Sequence, residues 1–242
     1  FIANRVVVAG MLATMIEVKN FGLGYDVVDD LTGKKMGRAS SGTYRTADVV
    51  GLDTMTHVIK TLQNGCADDP FAASFAIPAD VAALLEKGNF GQKTKAGFYK
   101  KEGKNVLQFD VKTGEYVPAG AKADKEVADI LRKAPAERLK ALRESSNPQA
   151  QFIWAMLRNA FHYAAVTLEG IADTARDIDL AMRWGYGAKQ GPFELWQQAG
   201  WKQVAEWVQA DIDAGKALSS APLPAWVFDG RDGVHTAEGS WW

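Results

Sequence analysis

A single cysteine, Cys66, stands in 242 residues, and its surroundings, NGCADDP, hold no second thiol or histidine at metal-ligand spacing. No disulfide can form within the chain, no metal site is expected, and a reducing compartment is the default. Nowhere do about 18 apolar residues run uninterrupted. The first ten residues also lack the basic start of a signal peptide. No membrane span and a cytoplasmic location are therefore expected. Lysine and arginine number 28 against 29 acidic residues, and no stripe of them could track phosphates, which argues against nucleic acid as a partner. Histidine is scarce. His57 and His162 read as helix-face residues and His235 as part of a flexible tail, each without a neighbouring serine, cysteine or paired carboxylate in a catalytic arrangement. The GxG run Gly22-Leu23-Gly24 follows a helical pattern and lacks the third glycine of a dinucleotide fingerprint, so it reads as a helix stop.

What is present suits a globular chain with a sizeable core: 47% hydrophobic and 24% charged residues. Val8, Met11, Leu12 and Met15 share one helical face, and Asn20, Gly22 and Gly24 end that element. Helical periodicity continues over 25–36 and 43–62, and Pro78 and Gly88 bracket a short helix. From Gly97 the pattern alternates through GFYKK, VLQFDV and EYVP, with turn residues in EGKN and KTG, which predicts a small β-meander. Helical spacing returns at Lys125. Ser146 and Gln149 around Pro148 predict a capped long helix reaching Glu169 before Gly170, and Pro192 opens another that runs to Asp213. The expected fold is all-α with that meander in the middle.

An internal repeat organises the chain. The stretch YDVVDDLTGKKMGRASSGTYRTADVVGLD resembles ARDIDLAMRWGYGAKQGPFELWQQAGW, with Gly42 and Gly51 spaced as Gly191 and Gly200 are. Upstream of each lies a helical segment opening Phe-Ile, at Phe1 and Phe152. Two units follow, 1–120 ending in the meander and 121–242, the second diverged. All eight tryptophans fall in the second, from Trp154 onward, where such large apolar area serves packing. The start at Phe1 and the aromatic end GSWW, with nothing obvious to cover it, read as a fragment of something longer.

Three motifs in order, FIANRV, DDLTGKKMGRASSGTYRTADVVGLDT and GQKTKAGFY, resemble the C-terminal helical domain of 3-hydroxyacyl-CoA dehydrogenases. DIDLAMRWGYGAKQGPFELWQQAG in the second unit is a related pattern, so the resemblance covers roughly 1–100 and 150–240. Doubled copies are similar to multifunctional fatty-acid oxidation proteins, and GVHTAEGS resembles the junction ahead of their enoyl-CoA hydratase domain. The resemblance implies the substrate-side and dimerisation part of an NAD-dependent L-3-hydroxyacyl-CoA dehydrogenase. The implied partners are acyl-CoA, an N-terminal Rossmann domain that binds NAD and is absent from this chain, that hydratase domain, and a second copy in a homodimer. The chain alone is then expected to be inactive.

By the same resemblance Asn4, the asparagine of the FxxNR motif, is the one catalytic residue that falls here. A carboxamide can donate to an oxygen gaining charge, whereas the structural alternative is a helix cap. The second unit has Ala155 at that place. Ser41, Gly42 and Thr43 precede a helix whose free N–H groups could face a substrate carbonyl or phosphate. Gly42-Thr43 departs from the family's usual Gly-Pro pair, which Gly191-Pro192 retains. Lys93 and Lys95 either reach the CoA phosphates or sit in a solvated turn beside Gly97. Two other readings stand beside this one: a non-catalytic helical interaction module, and the helical half of a dehydrogenase acting on hydroxy acids.

Overall fold

The structure is a computed structural model describing residues 2–236 and 239–242. Phe1, which opens the first repeat unit, and Ala237 and Glu238 of the GVHTAEGS run lie outside the described residues. The chain begins with α1 (Ile2–Phe21), which buries Val8, Leu12 and Met15 along one face. Gly22, at φ 65°, ends it as Leu23 N donates back to Val18 O. Then come α2 (Tyr25–Thr32), α3 (Tyr44–Val50), α4 (Leu52–Gly65) and α5 (Ala79–Glu86). The meander is β1 (Tyr99–Glu102), β2 (Asn105–Asp110) and β3 (Glu115–Pro118), antiparallel in sequence order. The second half holds α6 (Lys125–Leu131), α7 (Pro135–Glu144), α8 (Pro148–Ile171), α9 (Ala175–Tyr186), α10 (Pro192–Gln198) and α11 (Trp201–Asp213). The chain is mostly helical with one small sheet.

Element boundaries differ from expectation where glycine or a cap decides them. The segments 43–62 and 192–213 are each two helices, broken at Gly51 (φ 100°) and Gly200 (φ 102°), conformations an L side chain rarely adopts. The cap of α8 is Asn147, whose side chain accepts from Gln149 N, rather than Ser146, and the helix carries Gly170 inside its last turn.

The long helices α1 and α8 pack against each other at the centre of one continuous core. Where they meet, Arg158 on α8 reaches Glu17 on α1 at 2.9 Å and Asp211 on α11 at 3.1 Å, all three nearly sealed from solvent. Trp154 Nε1 also donates to Asp211. Trp196 and Trp201 stack at 4.1 Å, and Trp242 folds back beside Trp226, so the aromatic end is partly covered after all.

The two halves use the same local device. Asp29 on α2 accepts N–H bonds from Thr43, Tyr44 and Arg45 at the start of α3, and Asp179 on α9 accepts them from Phe193 and Glu194 at the start of α10. Gly42 and Gly191 press on the backbones of those aspartates, where a Cβ would lie 2.6 and 2.4 Å from the respective Cα. Each aspartate takes a further partner from a later segment: Tyr99 Oη at 2.8 Å for Asp29, and His235 Nε2 for Asp179.

Candidate functional site

Asn4 sits in the first turn of α1 with its side chain exposed. Its Oδ1 accepts from Tyr186 Oη at 2.9 Å, a contact between the two halves. Among the described residues its Nδ2 has no acceptor, which leaves the carboxamide able to donate. Next to it, Arg5 bonds Asp69 at 2.7 Å and Tyr163 on α8 at 3.2 Å, and Tyr163 bonds the same carboxylate. Burial works against the Arg5 charge, but those two partners outweigh it and raise its pKa. This trio anchors the turn that presents Asn4.

Two hollows adjoin these residues. Asn4, Ile2, Val58, Cys66 and Ile171 line one of about 520 Å³. Tyr186 lines the other, a mostly apolar cleft of about 180 Å³ between α1, α8 and the connections leading into α3 and α10. Gly42 and Thr43 form part of that second wall. Ser41 lines neither hollow and pairs its hydroxyl with Thr46 at 2.6 Å. The N–H groups expected to be free at the start of α3 are taken by Asp29, and the Thr43 hydroxyl pairs with Thr32. No anion-binding helix end remains there, because a carboxylate within the same half already occupies it.

The other sequence candidates scatter. Lys93 is bonded to Asp53 at 2.6 Å, and Lys95 occupies an exposed left-handed turn (φ 64°). Neither lysine lines either of these two hollows. Gly97 lies against Asp48, whose carboxyl burial pushes up to about 6 even though the N–H groups of Phe98 and Tyr99 bind it. His57 is exposed, while His162 is buried with Nε2 on Ala221 O. His235 departs from expectation: it is buried and bonded to Asp179, a carboxylate 56 residues away that no local spacing could reveal.

Asp179, Glu194 and His235 bring ligand-type atoms within 4.8 Å of one another. The carboxylate oxygens there already accept from Phe193, Glu194 and Gly191 N–H groups and from His235, so the cluster reads as structural. Sequence reasoning missed Asp29 and Asp179, although a signal existed. Each is an aspartate 13 or 12 residues ahead of the matching glycine, Gly42 or Gly191, in the repeat. Tyr186 and Arg38, which lines the smaller cleft, carried no such signal.

The stretch that carries Asn4, Gly42 and the Asp29 device, α1 through β1, is also the one that matches a known family. Residues 1–101 match the family model of the 3-hydroxyacyl-CoA dehydrogenase C-terminal domain. Similarity to relatives extends further along the chain than that domain. A probable 3-hydroxyacyl-CoA dehydrogenase of Bacillus subtilis is 37% identical over 233 residues, covering 96% of this chain and 28% of the relative. A protein of the same description from Deinococcus radiodurans is 40% identical over 101 residues, 42% of this chain and 28% of its own. A putative fatty acid oxidation complex trifunctional enzyme of Rickettsia felis is 26% identical over 94% of this chain and 30% of its own. The chain thus spans less than a third of these relatives. The crystal structure of 3-hydroxybutyryl-CoA dehydrogenase from Escherichia coli superposes with a TM-score of 0.61 at 16% identity, over 94% of this chain and 58% of that one, a likeness of fold.

Among the described residues nothing fits a dinucleotide. Gly22-Leu23-Gly24 is the end of α1, and the sheet among the described residues is an antiparallel meander, without the strand-to-helix turn that cradles a pyrophosphate. No described helix is long and apolar enough to cross a membrane.

Proposed function

We propose that this chain is the substrate-side and dimer-forming part of an NAD-dependent L-3-hydroxyacyl-CoA dehydrogenase of fatty-acid β-oxidation, which oxidises 3-hydroxyacyl-CoA to 3-ketoacyl-CoA. It comprises two tandem copies of the C-terminal domain, 1–120 and 121–242. The shared Asp29 and Asp179 devices and the paired glycine breaks at Gly51 and Gly200 support that division. NAD is held by a Rossmann domain outside this sequence, since the residues present do not fit it. An enoyl-CoA hydratase domain in the same polypeptide accords with the trifunctional description of the Rickettsia relative. Exposed Trp184, Val49 and Val50 accord with further protein surface meeting this chain.

The observation that carries the proposal is Asn4. Within the matched stretch it is exposed beside a hollow, its acceptor side held by Tyr186 and its donor side without an acceptor among the described residues. In the second unit Ala155 is buried at 2% exposure, so a single copy carries the chemistry. Asn4 donates to the substrate's C3 oxygen as charge develops there, and Gly42 and Thr43, shaped by the Ser41 turn, wall the adjoining cleft.

The test is NADH oxidation with acetoacetyl-CoA, comparing this chain, a native polypeptide extended upstream by one Rossmann domain, and that longer form carrying Asn4→Ala. Activity confined to the extended form and lowered about 10²-fold in the variant is expected. An inactive extended form would move the chain to the interaction-module reading, which the lack of a complete catalytic set among the described residues favours. Full activity in the variant would reduce Asn4 to a contact between the two halves.

A further inference from the structure

The smaller cleft, bounded by both halves, contains one charge that the dehydrogenase reading does not use. Arg38, in the connection between α2 and α3, lines it among Val6, Met11, Met156, Leu157, Phe161 and Leu195. The nearest partner of its guanidinium is the Met156 thioether, Nη1 to Sδ at 3.9 Å. Arg38 is half-buried; among the described residues no carboxylate lies within the 4.0 Å that defines an ion pair, and desolvation pushes its pKa below the usual arginine value. The other arginines with buried or half-buried side chains that form ion pairs differ: Arg5 faces Asp69, Arg158 faces Glu17 and Asp211, and Arg231 faces Asp229.

Most remaining polar groups of the cleft are committed elsewhere. Thr14 and Thr46 bond backbone carbonyls of their own helices or connections, Thr43 bonds Thr32, Asn159 bonds Arg158, and Tyr186 bonds Asn4. A guanidinium stays charged when enclosed, and an uncompensated charge among apolar groups is costly. Such a site complements a ligand that brings an anion on a hydrocarbon body. Its planar donors match a carboxylate in particular. The cleft volume, about 180 Å³, exceeds the ~150 Å³ of an apolar cavity that holds benzene, which sets the scale of the body at six carbons or a few more.

We infer that the α1–α8 cleft is a binding site for a medium-chain monocarboxylate, its carboxylate held by Arg38 and its hydrocarbon body lying among Met11, Met156, Leu157 and Phe161. The site adjoins Asn4 through Tyr186, which lines the cleft and donates to the Asn4 carboxamide oxygen, and the inference rests on the lining of the cleft rather than on the redox role of the whole polypeptide. Bound there, the ligand bridges the two halves and ties their relative stability to the supply of free fatty carboxylate.

Isothermal titration of the full chain with octanoate tests this, with methyl octanoate, octan-1-ol and inorganic phosphate as comparisons. One octanoate per chain is expected, binding about tenfold or more tighter than the ester or alcohol, which is the effect of a charge-assisted hydrogen bond. Arg38→Met, with its circular dichroism and melting curve measured in parallel, should reduce octanoate binding to that of the ester. The wild-type comparison of acid with ester decides the matter even where the variant misfolds. Absence of saturable octanoate binding, equal affinity for acid and ester, or unchanged binding in a folded Arg38→Met variant would each overturn the proposal. Competition by phosphate as effective as octanoate would overturn the carboxylate amphiphile in favour of a simple anion.

Discussion

Gly42 and Gly191 separate two effects that are usually mixed. Both press on an aspartate backbone, but Gly42 has φ 68° whereas Gly191 has φ −84°. Gly42→Ala therefore meets both a clash and a left-handed backbone, the latter alone costing about 1–2 kcal/mol, and Gly191→Ala meets the clash only. Both variants should be destabilised in urea unfolding, the first more. A Gly42→Ala protein within ~0.5 kcal/mol of the parent, the range of an ordinary surface substitution, would refute the contact. At the crossing of α1 and α8, Arg158→Met leaves Glu17 and Asp211 buried without their cation, so a loss of about 3–5 kcal/mol is expected in the same measurement. Asp29 was readable as an acidic position of the repeat. Its role was not, because the acceptor and the N–H groups it serves lie 14 to 16 residues apart.

At the scale of elements, the segment after α11 closes on α9 and α10. Gln197 accepts from Val234 N and donates to His235 O, Ala175 N donates to Trp242 O, and His235 meets Asp179. The hydrogen bond that His235 Nε2 donates to the Asp179 carboxylate raises the His235 pKa above 6.5, with burial opposing it. A raised folded value means the proton stabilises the closed segment. That contribution is complete below the ordinary pKa of 6.5 and is lost as pH rises through the folded value. NMR titration should place the His235 imidazole above 6.5, and His235→Gln should flatten the fall in melting temperature on the alkaline side. An imidazole titrating at or below its ordinary value would remove the clasp. Helices and meander were legible because 3.6- and 2-residue periods survive in the pattern. The breaks at Gly51 and Gly200 were not, since a glycine inside a helical pattern has no visible φ.

For the whole molecule, the repeat does not divide the core. α1 buries its apolar face on α8, and one cluster runs from Val6 to Val234. Residues 1–120 or 121–242 expressed alone would expose that face, and each should self-associate or melt without cooperativity, while mixing them restores a cooperative transition. Size-exclusion chromatography with circular dichroism reads this directly. A monomeric, cooperatively melting half on its own would show that the units are independent domains.

The order of amphipathic helices, the meander, the doubled motif and the family resemblance were all set by local sequence, because each depends on residue types within about one or two helical turns or on a turn residue's own backbone preference. Partner choice was decided only by the fold. Whether the N–H groups ahead of α3 are free, whether Arg38 has a counter-charge, and whether His235 meets a carboxylate depend on packing between remote segments. Arg158 and Glu17 are 141 residues apart in the chain and 2.9 Å apart in space. No periodicity encodes that pairing, since the position of each group follows from how whole helices bury their apolar faces against one another.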